Sequence, residues 1–196
     1  MRTGYGRFFD CMLALCCMLA FAPLMACIAV FIKLQDRGPV LFIQERAGKH
    51  GRPFKLLKFR SMKAGADPFA QSPSAGNDPR LIRGGDFLRR YSLDELPQLL
   101  NVLFGDMSMI GPRPLYVSQV NALSEYHRRR LLVLPGITGL SQVYLRSELT
   151  SHESLDMECA YVEKKSFLLD VKIFFLTIGV VLGKKGVYET TTGGRQ

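Results

Sequence analysis

The longest pattern in the chain is an apolar run. No residue between Asp10 and Lys33 carries a charge, and the 22 positions from Cys11 to Ile32 are almost all hydrophobic. As a straight helix this run extends roughly 33 Å, enough for the hydrocarbon core of a bilayer. No small-residue cleavage site followed by a polar mature start appears, so it reads as a membrane element and not as a signal peptide. Pro23 sits near its middle, where proline removes a backbone donor and kinks a helix. Arg2 and Arg7 flank one end, Lys33 and Arg37 the other, so the positive-inside rule assigns no orientation. Two arrangements satisfy these facts. One is a spanning helix kinked at Pro23; the other enters and leaves by the same face, with arms about 15 Å long.

Past the breaker Asp36-Arg37-Gly38-Pro39 the period changes. Residues 40–44 and 54–60, joined by the turn-rich basic link 48–53, predict an antiparallel hairpin. In its second strand Lys58 and Arg60 are two apart and share a face, which suits either solvent or a phosphate. Residues 64–79 carry loop chemistry over a length that suggests a mobile lid or a partly disordered segment. A short helix is predicted over 80–90. Ser92 and Glu95 then form a Ser-x-x-Glu capping box that starts another. A helix over 116–134 bears His127-Arg128-Arg129-Arg130, read as a solvated or headgroup-facing cluster. Residues 135–143 read as a loop leading into a short strand, whose glycines serve either a ligand or a tight turn. Residues 155–163 read as helical, with Asp156 and Tyr161 on different sides. A second apolar element covers 166–182. Asp170 and Lys172 leave ten uncharged residues there, Ile173 to Leu182, too few to span, so it is a core helix or one lying in the interface. The tail from Thr190 is expected to fray. The fold class is therefore α+β mixed and mostly helical, with a small hairpin or sheet and interfacial amphipathic helices.

Charge narrows the partners. The net charge of +9 suits a polyanion: nucleic acid, anionic lipid or a nucleotide. Tryptophan is absent, and no zinc-finger spacing or RNA-binding signature appears, so nucleic acid is not expected as a partner. Four of the five cysteines lie in the apolar run and Cys159 stands alone, a pattern of buried thiols in a reducing compartment.

The chemistry concentrates in Arg89-Arg90-Tyr91-Ser92-Leu93-Asp94-Glu95-Leu96-Pro97 and in Gly111-Pro112-Arg113-Pro114. Asp94 and Glu95 would sit in a first helical turn, where the helix dipole favours negative charge, and a capping role alone would explain them. Arginines on both sides suggest phosphate chemistry, with a carboxylate as nucleophile or metal ligand.

Lys58-Phe59-Arg60-Ser61-Met62, Ser92 to Leu99, Asn101 to Ser108, Gly111 to Pro114 and Pro135-Gly136-Ile137-Thr138-Gly139 occur in one order. In that order the chain resembles the bacterial sugar transferase family, the monotopic phosphoglycosyl transferases, from about residue 3 to about residue 188. It is most similar to the small members that hold little besides the catalytic domain.

The resemblance implies transfer of a sugar 1-phosphate from a UDP-sugar to undecaprenyl phosphate, with release of UMP, at the cytoplasmic face of the inner membrane. This is the first step of a surface glycan. It implies Asp94 as the nucleophile that carries the phosphosugar, with Glu95 orienting the site or helping Asp94 hold Mg²⁺. Arg89 and Arg113 match phosphate-binding positions; Lys58 and Arg60 join them, and Arg146 in Tyr144-Leu145-Arg146-Ser147 keeps the arginine of an Asn-Gly-Arg-like family sequence. It also implies that the apolar run is re-entrant, broken at Pro23, although Ala22 replaces the usual serine before it. Residues 1–36 would form the membrane element, 37–188 the cytosolic catalytic domain and 189–196 a flexible tail. Two other readings use the same residues: a membrane-bound nucleotide-sugar or polyprenyl-diphosphate hydrolase, and a non-enzymatic basic protein that binds membrane lipid.

Overall fold

The apolar run folds as part of a single helix, α1 (Gly4–Asp36), in a computed structural model that describes residues 4–63, 65–66, 78–144 and 152–183. Helix α1 continues through Pro23, so the expected break is not a gap in the helix. Proline removes one bond of the ladder, and its neighbours Ala22, Leu24, Met25 and Ala26 are strong helix formers.

Polar groups anchor the first turns of α1. Arg7 donates through Nη1 to the Met107 carbonyl (3.2 Å) and through Nη2 to the Leu103 carbonyl (3.0 Å). Asp10, 8% exposed, accepts from the Ser108 hydroxyl and the Met109 amide, each at 3.2 Å. Beyond them Ala14 enters the main core, among Leu99, Val102, Met107, Tyr161 and Ile173. The far half of α1 seats Ile28 and Ile32 in a second cluster with Phe59, Ile82 and Leu88. Both halves therefore lie on one body. Leu15, Leu19, Phe21 and Leu24 between them face outward.

The predicted hairpin forms. Strands β1 (Leu41–Ala47) and β2 (Pro53–Phe59) pair antiparallel, with Leu41 opposite Phe59 and Ala47 opposite Pro53. Helix α2 (Gly85–Arg90) follows a turn at Gly84, which takes φ +72°. It is shorter than the predicted 80–90 element, because Leu81 instead bridges Met62. Helix α3 (Gln98–Phe104) packs on α1 and β2 and ends at Gly105 with φ +100°. Its buried Asn101 accepts from the Leu57 amide (3.0 Å) and donates to the Lys55 carbonyl (2.8 Å), which locks α3 to β2.

A second, parallel pair joins β3 (Ser108–Ile110) to β4 (Gly136–Thr138). The long helix predicted over 116–134 does not form. Helix α4 (Val117–Asn121) is closed by a reciprocal cap between Tyr116 and Gln119, and residues 127–132 make a 3-10 turn that carries Arg130 into the interior. The loop predicted at 135–143 is instead β4 followed by helix α5 (Leu140–Tyr144). Helix α6 (His152–Lys164) places Asp156 and Tyr161 on different sides, as its pattern predicted, with Tyr161 buried and Asp156 exposed. Helix α7 (Phe167–Leu182) opens with the Ser166 hydroxyl accepting from the Leu169 amide. It buries Ile173 and leaves Phe167, Leu168, Phe175, Ile178 and Leu182 exposed. Among the described residues the fold is mostly helical, as the sequence pattern predicted, with the expected hairpin and a second small sheet that it did not predict.

The Asp10 anchor is testable by thermal unfolding in detergent. Replacing Asp10 by Ala takes the acceptor from the buried Met109 amide, while the Ser108 hydroxyl keeps the Ile110 carbonyl; the loss of about 1–3 kcal/mol should lower the melting midpoint by several degrees. Leu15→Ala, on the outward face of the same helix, should leave it near the parent value.

Candidate active site

Ser92 sets the local geometry of the dyad, but not as the predicted cap. It sits at φ +55° in the left-handed region, its side chain makes no capping bond, and residues Leu93–Glu95 form a single 3-10 turn. Helix α3 begins three residues later, after Pro97. The Glu95 carboxylate turns away from Ser92 and accepts from Lys58 Nζ at 2.7 Å. A charge-assisted bond to an ammonium outweighs one to a backbone amide, so the Ser-x-x-Glu spacing is spent on a different contact.

The cations come from three separate parts of the chain. Lys58 projects from β2, whose position Asn101 fixes relative to α3. Arg113 follows Gly111-Pro112 and places Nη1 3.7 Å from Glu95 Oε1. Arg89 comes from the last turn of α2 and acts electrostatically on both carboxylates. Its Nε is buried and has no hydrogen-bond partner among the described residues.

The two carboxyls respond differently. Asp94, 7% exposed, is pushed up to about 6 by burial and by the adjacent Glu95 charge, against the pull of Lys58, Arg89 and Arg113. Burial also acts upward on Glu95, but Lys58, Arg113 and Arg89 together bring it well below the ordinary carboxylate range. One neighbour thus stays ionised throughout the physiological range, while the other is ionised near neutrality yet more basic than a free aspartate. That combination suits a carboxylate nucleophile.

Of the predicted site residues, Asp94, Glu95, Lys58, Arg89 and Arg113 are brought together. Arg60 belongs to a different environment. Strand β2 ends at Phe59, and the buried Arg60 guanidinium lies against Gly38, where an added Cβ would stand 2.6 Å from Nη1. Arg146 lies outside the described residues, as does most of the expected lid over 64–79. Asp106 joins the Asn101 side chain at 3.4 Å, a structural contact. The glycines at 136 and 139 open space for the backbone of Gly111, which a Cβ at either position would overlap.

Three participants were not singled out from the sequence. Arg46 of β1 stacks over the Tyr116 ring at 3.6 Å, donates to the Pro114 carbonyl and to Gln44, and lies within electrostatic reach of Glu95 and Arg113. Glu158 of α6, 1% exposed, accepts from the Arg113 amide and the Ser141 hydroxyl, each at 3.0 Å. Arg130, read as part of a surface cluster, is buried; its Nε donates to Glu158 at 2.6 Å and its Nη2 to the Arg113 carbonyl at 2.6 Å. Ser154, Glu158 and Tyr161 at helical spacing mark the buried face of α6, but nothing in that spacing names a partner for the acid.

The family model described as bacterial sugar transferase matches residues 1–184. The chain belongs to the bacterial sugar transferase family. Among its relatives, a UDP-glucose:undecaprenyl-phosphate glucose-1-phosphate transferase of Escherichia coli (strain K12) is 41% identical over 187 residues, covering 91% of this chain and 40% of that protein. An undecaprenyl-phosphate glucose phosphotransferase of Komagataeibacter xylinus is 43% identical over 188 residues, 88% of this chain and 35% of that protein. The uncharacterized sugar transferase EpsL of Bacillus subtilis (strain 168) is 38% identical over 188 residues, 94% and 90% of the two chains. The chain thus spans less than half the length of the first and second of these and most of the third.

The raised Asp94 predicts a pH-dependent stability. The folded state prefers the neutral acid, so stability from this group is complete below about pH 4 and is lost as pH rises through about 6. Asp94→Asn keeps the shape without the charge. It should raise the melting midpoint by about a few degrees at pH 7.5, with the gain shrinking toward pH 4.5. A gain that grows on acidification would contradict the assigned direction.

Proposed function

We propose that this chain transfers a sugar 1-phosphate from a UDP-sugar to undecaprenyl phosphate, releases UMP, and so begins the assembly of a surface glycan. The observation that carries this reading is a buried Asp94 beside a half-buried Glu95, met by cations from three elements, in a family whose relatives are named for such transfers.

An ionised Asp94 oxygen attacks the phosphorus that bears the sugar. A new acyl-phosphate bond forms, the phosphoanhydride bond to UMP breaks, and UMP leaves with the electron pair. A phosphate oxygen of undecaprenyl phosphate then attacks the same phosphorus, and the Asp94 carboxylate departs. Arg89, with an unsatisfied Nε, and Arg113 offset the diphosphate charge that would repel the nucleophile. Lys58 neutralises Glu95, so that a second anion does not add to that repulsion.

Mg²⁺ belongs to this proposal. Among the described residues no group of three or more histidine, cysteine, aspartate or glutamate side chains could hold a metal by itself. Mg²⁺ is commonly held by one or two carboxylates plus substrate phosphates, and Asp94 with Glu95 offers that donor set. When bound there, the ion supplies positive charge to the diphosphate oxygens.

The proposed seat is the cytoplasmic face of the inner membrane, with α1 dipping into one leaflet and bending at Pro23. Support comes from both halves of α1 packing on one body, from the outward apolar side chains between them, and from the exposed apolar face of α7. Single cysteines placed at Gly4 and at the exposed Pro39, in a chain freed of its native cysteines, should both react with an impermeant maleimide from the same side of a sealed vesicle. Labelling from opposite sides would mean that α1 spans.

The reaction is tested on the purified chain with Mg²⁺, undecaprenyl phosphate and a panel of UDP-sugars. UMP release should require the lipid for sustained turnover, stop on chelation and return with Mg²⁺. Asp94→Asn should lower it by at least about a thousandfold. Lipid-independent turnover would favour a hydrolase, and a phosphosugar trapped on any residue but Asp94 would refute the assignment.

A further inference from the structure

Residues 111–115 have their backbone groups taken up one after another. The Gly111 amide donates to Thr138, and the Pro112 carbonyl accepts from Gly136. The Pro114 carbonyl accepts from Arg46, and the Leu115 carbonyl from the Ala47 amide. Between these ordinary contacts stands Arg113. Both of its backbone groups are held by charged side chains: the amide donates to Glu158 Oε1 and the carbonyl accepts from Arg130 Nη2. Arg130 and Glu158 are ion-paired to each other with side chains 2% exposed on each side, and Ser141 completes the acid's shell.

A buried ion pair is a poor source of stability, since desolvation consumes most of the attraction, and apolar residues of similar volume often serve as well. What this one supplies is orientation. The carboxylate and the guanidinium hold the two peptide units that flank the Arg113 Cα, one each, and so fix the direction in which that side chain leaves the backbone. The guanidinium of Arg113 then lies 3.7 Å from Glu95.

We propose that the buried Arg130–Glu158 pair, with Ser141, is a positioning device for Arg113 in the transfer reaction. Neither Arg130 nor Glu158 touches the carboxylate dyad; both act through the peptide units of Arg113. The inference rests on the transferase reading and adds to it three residues, on the 127–132 turn, α5 and α6, that hold a phosphate-facing arginine in register.

The test is a mutant cycle on the full chain in detergent with Mg²⁺, reading UMP release and melting midpoint together. Arg130→Met combined with Glu158→Leu removes both charges and leaves neither one unpaired. That variant should melt within a few degrees of the parent, yet lose about 10- to 100-fold in rate, the scale of a misplaced catalytic group. In an Arg113→Ala background the same pair of changes should cost less than about twofold, because the residue being positioned is gone. Ser141→Ala asks the same question with a milder change: a loss of about two- to fivefold in the parent and none without Arg113. Equal losses in both backgrounds, or a parent rate retained by the Arg130→Met/Glu158→Leu chain, overturns the inference and leaves the transferase reading standing. So does an Arg113→Ala chain as fast as an active parent. A parent that releases no UMP from any donor removes both.

Discussion

Two carboxylates next to each other in sequence cannot both be withdrawn from water and both be charged unless cations meet them. That constraint organises this molecule. Asp94 and Glu95 lie on one 3-10 turn with little solvent access, and their neighbours divide the proton affinity between them, one raised and one depressed. The cations that make this tolerable are distant in sequence, on β2, on α2 and beyond β3. Each is held by a separate device. Asn101 joins β2 to α3 through two backbone groups, the turn at Gly84 aims α2, and the segment around Arg113 is gripped from both sides. The small sheets and short helices are the means by which three positive charges reach one turn.

Much of this was legible in the residues, and the limits are physical. The hairpin was readable because its strands and basic turn follow local rules, and α6 and α7 because apolar spacing survives intact in them. The residues of the dyad are legible in the sequence, but their local structure is a 3-10 turn and not the helix start that the spacing suggests. A Ser-x-x-Glu spacing describes a helix start only when no stronger partner competes for the glutamate, and Lys58, 37 positions away, competes. The same reason hid the role of Arg130. A run of three arginines reads as surface until a buried acid from another helix removes one of them, and no pattern within residues 127–130 carries that information. The 116–134 segment reads as one helix, whereas the structure divides it between α4 and the 3-10 turn at 127–132. Long-range electrostatic pairing decided the cases of Glu95 and Arg130 against local propensity.

The position of the dyad relative to α1 follows from one residue. Leu96, immediately after Glu95, packs against both hydrophobic clusters, the one that contains Ala14 and the one that contains Ile28 and Ile32. Those residues lie on opposite sides of Pro23 along α1. The residue next to the dyad thus joins the packing that holds both halves of α1. On the proposed reaction, the two substrates differ in solubility: the nucleotide sugar comes from water and the lipid phosphate cannot leave the bilayer. A covalent intermediate at such a site lets the two be handled in turn, because the phosphosugar stays on the protein while UMP leaves and the lipid arrives. The requirement this places on the fold is that the nucleophile be rigid with respect to the membrane element. Arg7 and Asp10 at one end, Ile32 at the other and Leu96 in both clusters meet that requirement through contacts of different kinds. A single hydrophobic seat could slide by a helical turn with modest cost. Polar anchors on backbone groups at Leu103, Met107 and Met109 cannot, because each shifted register would leave buried donors or acceptors without partners.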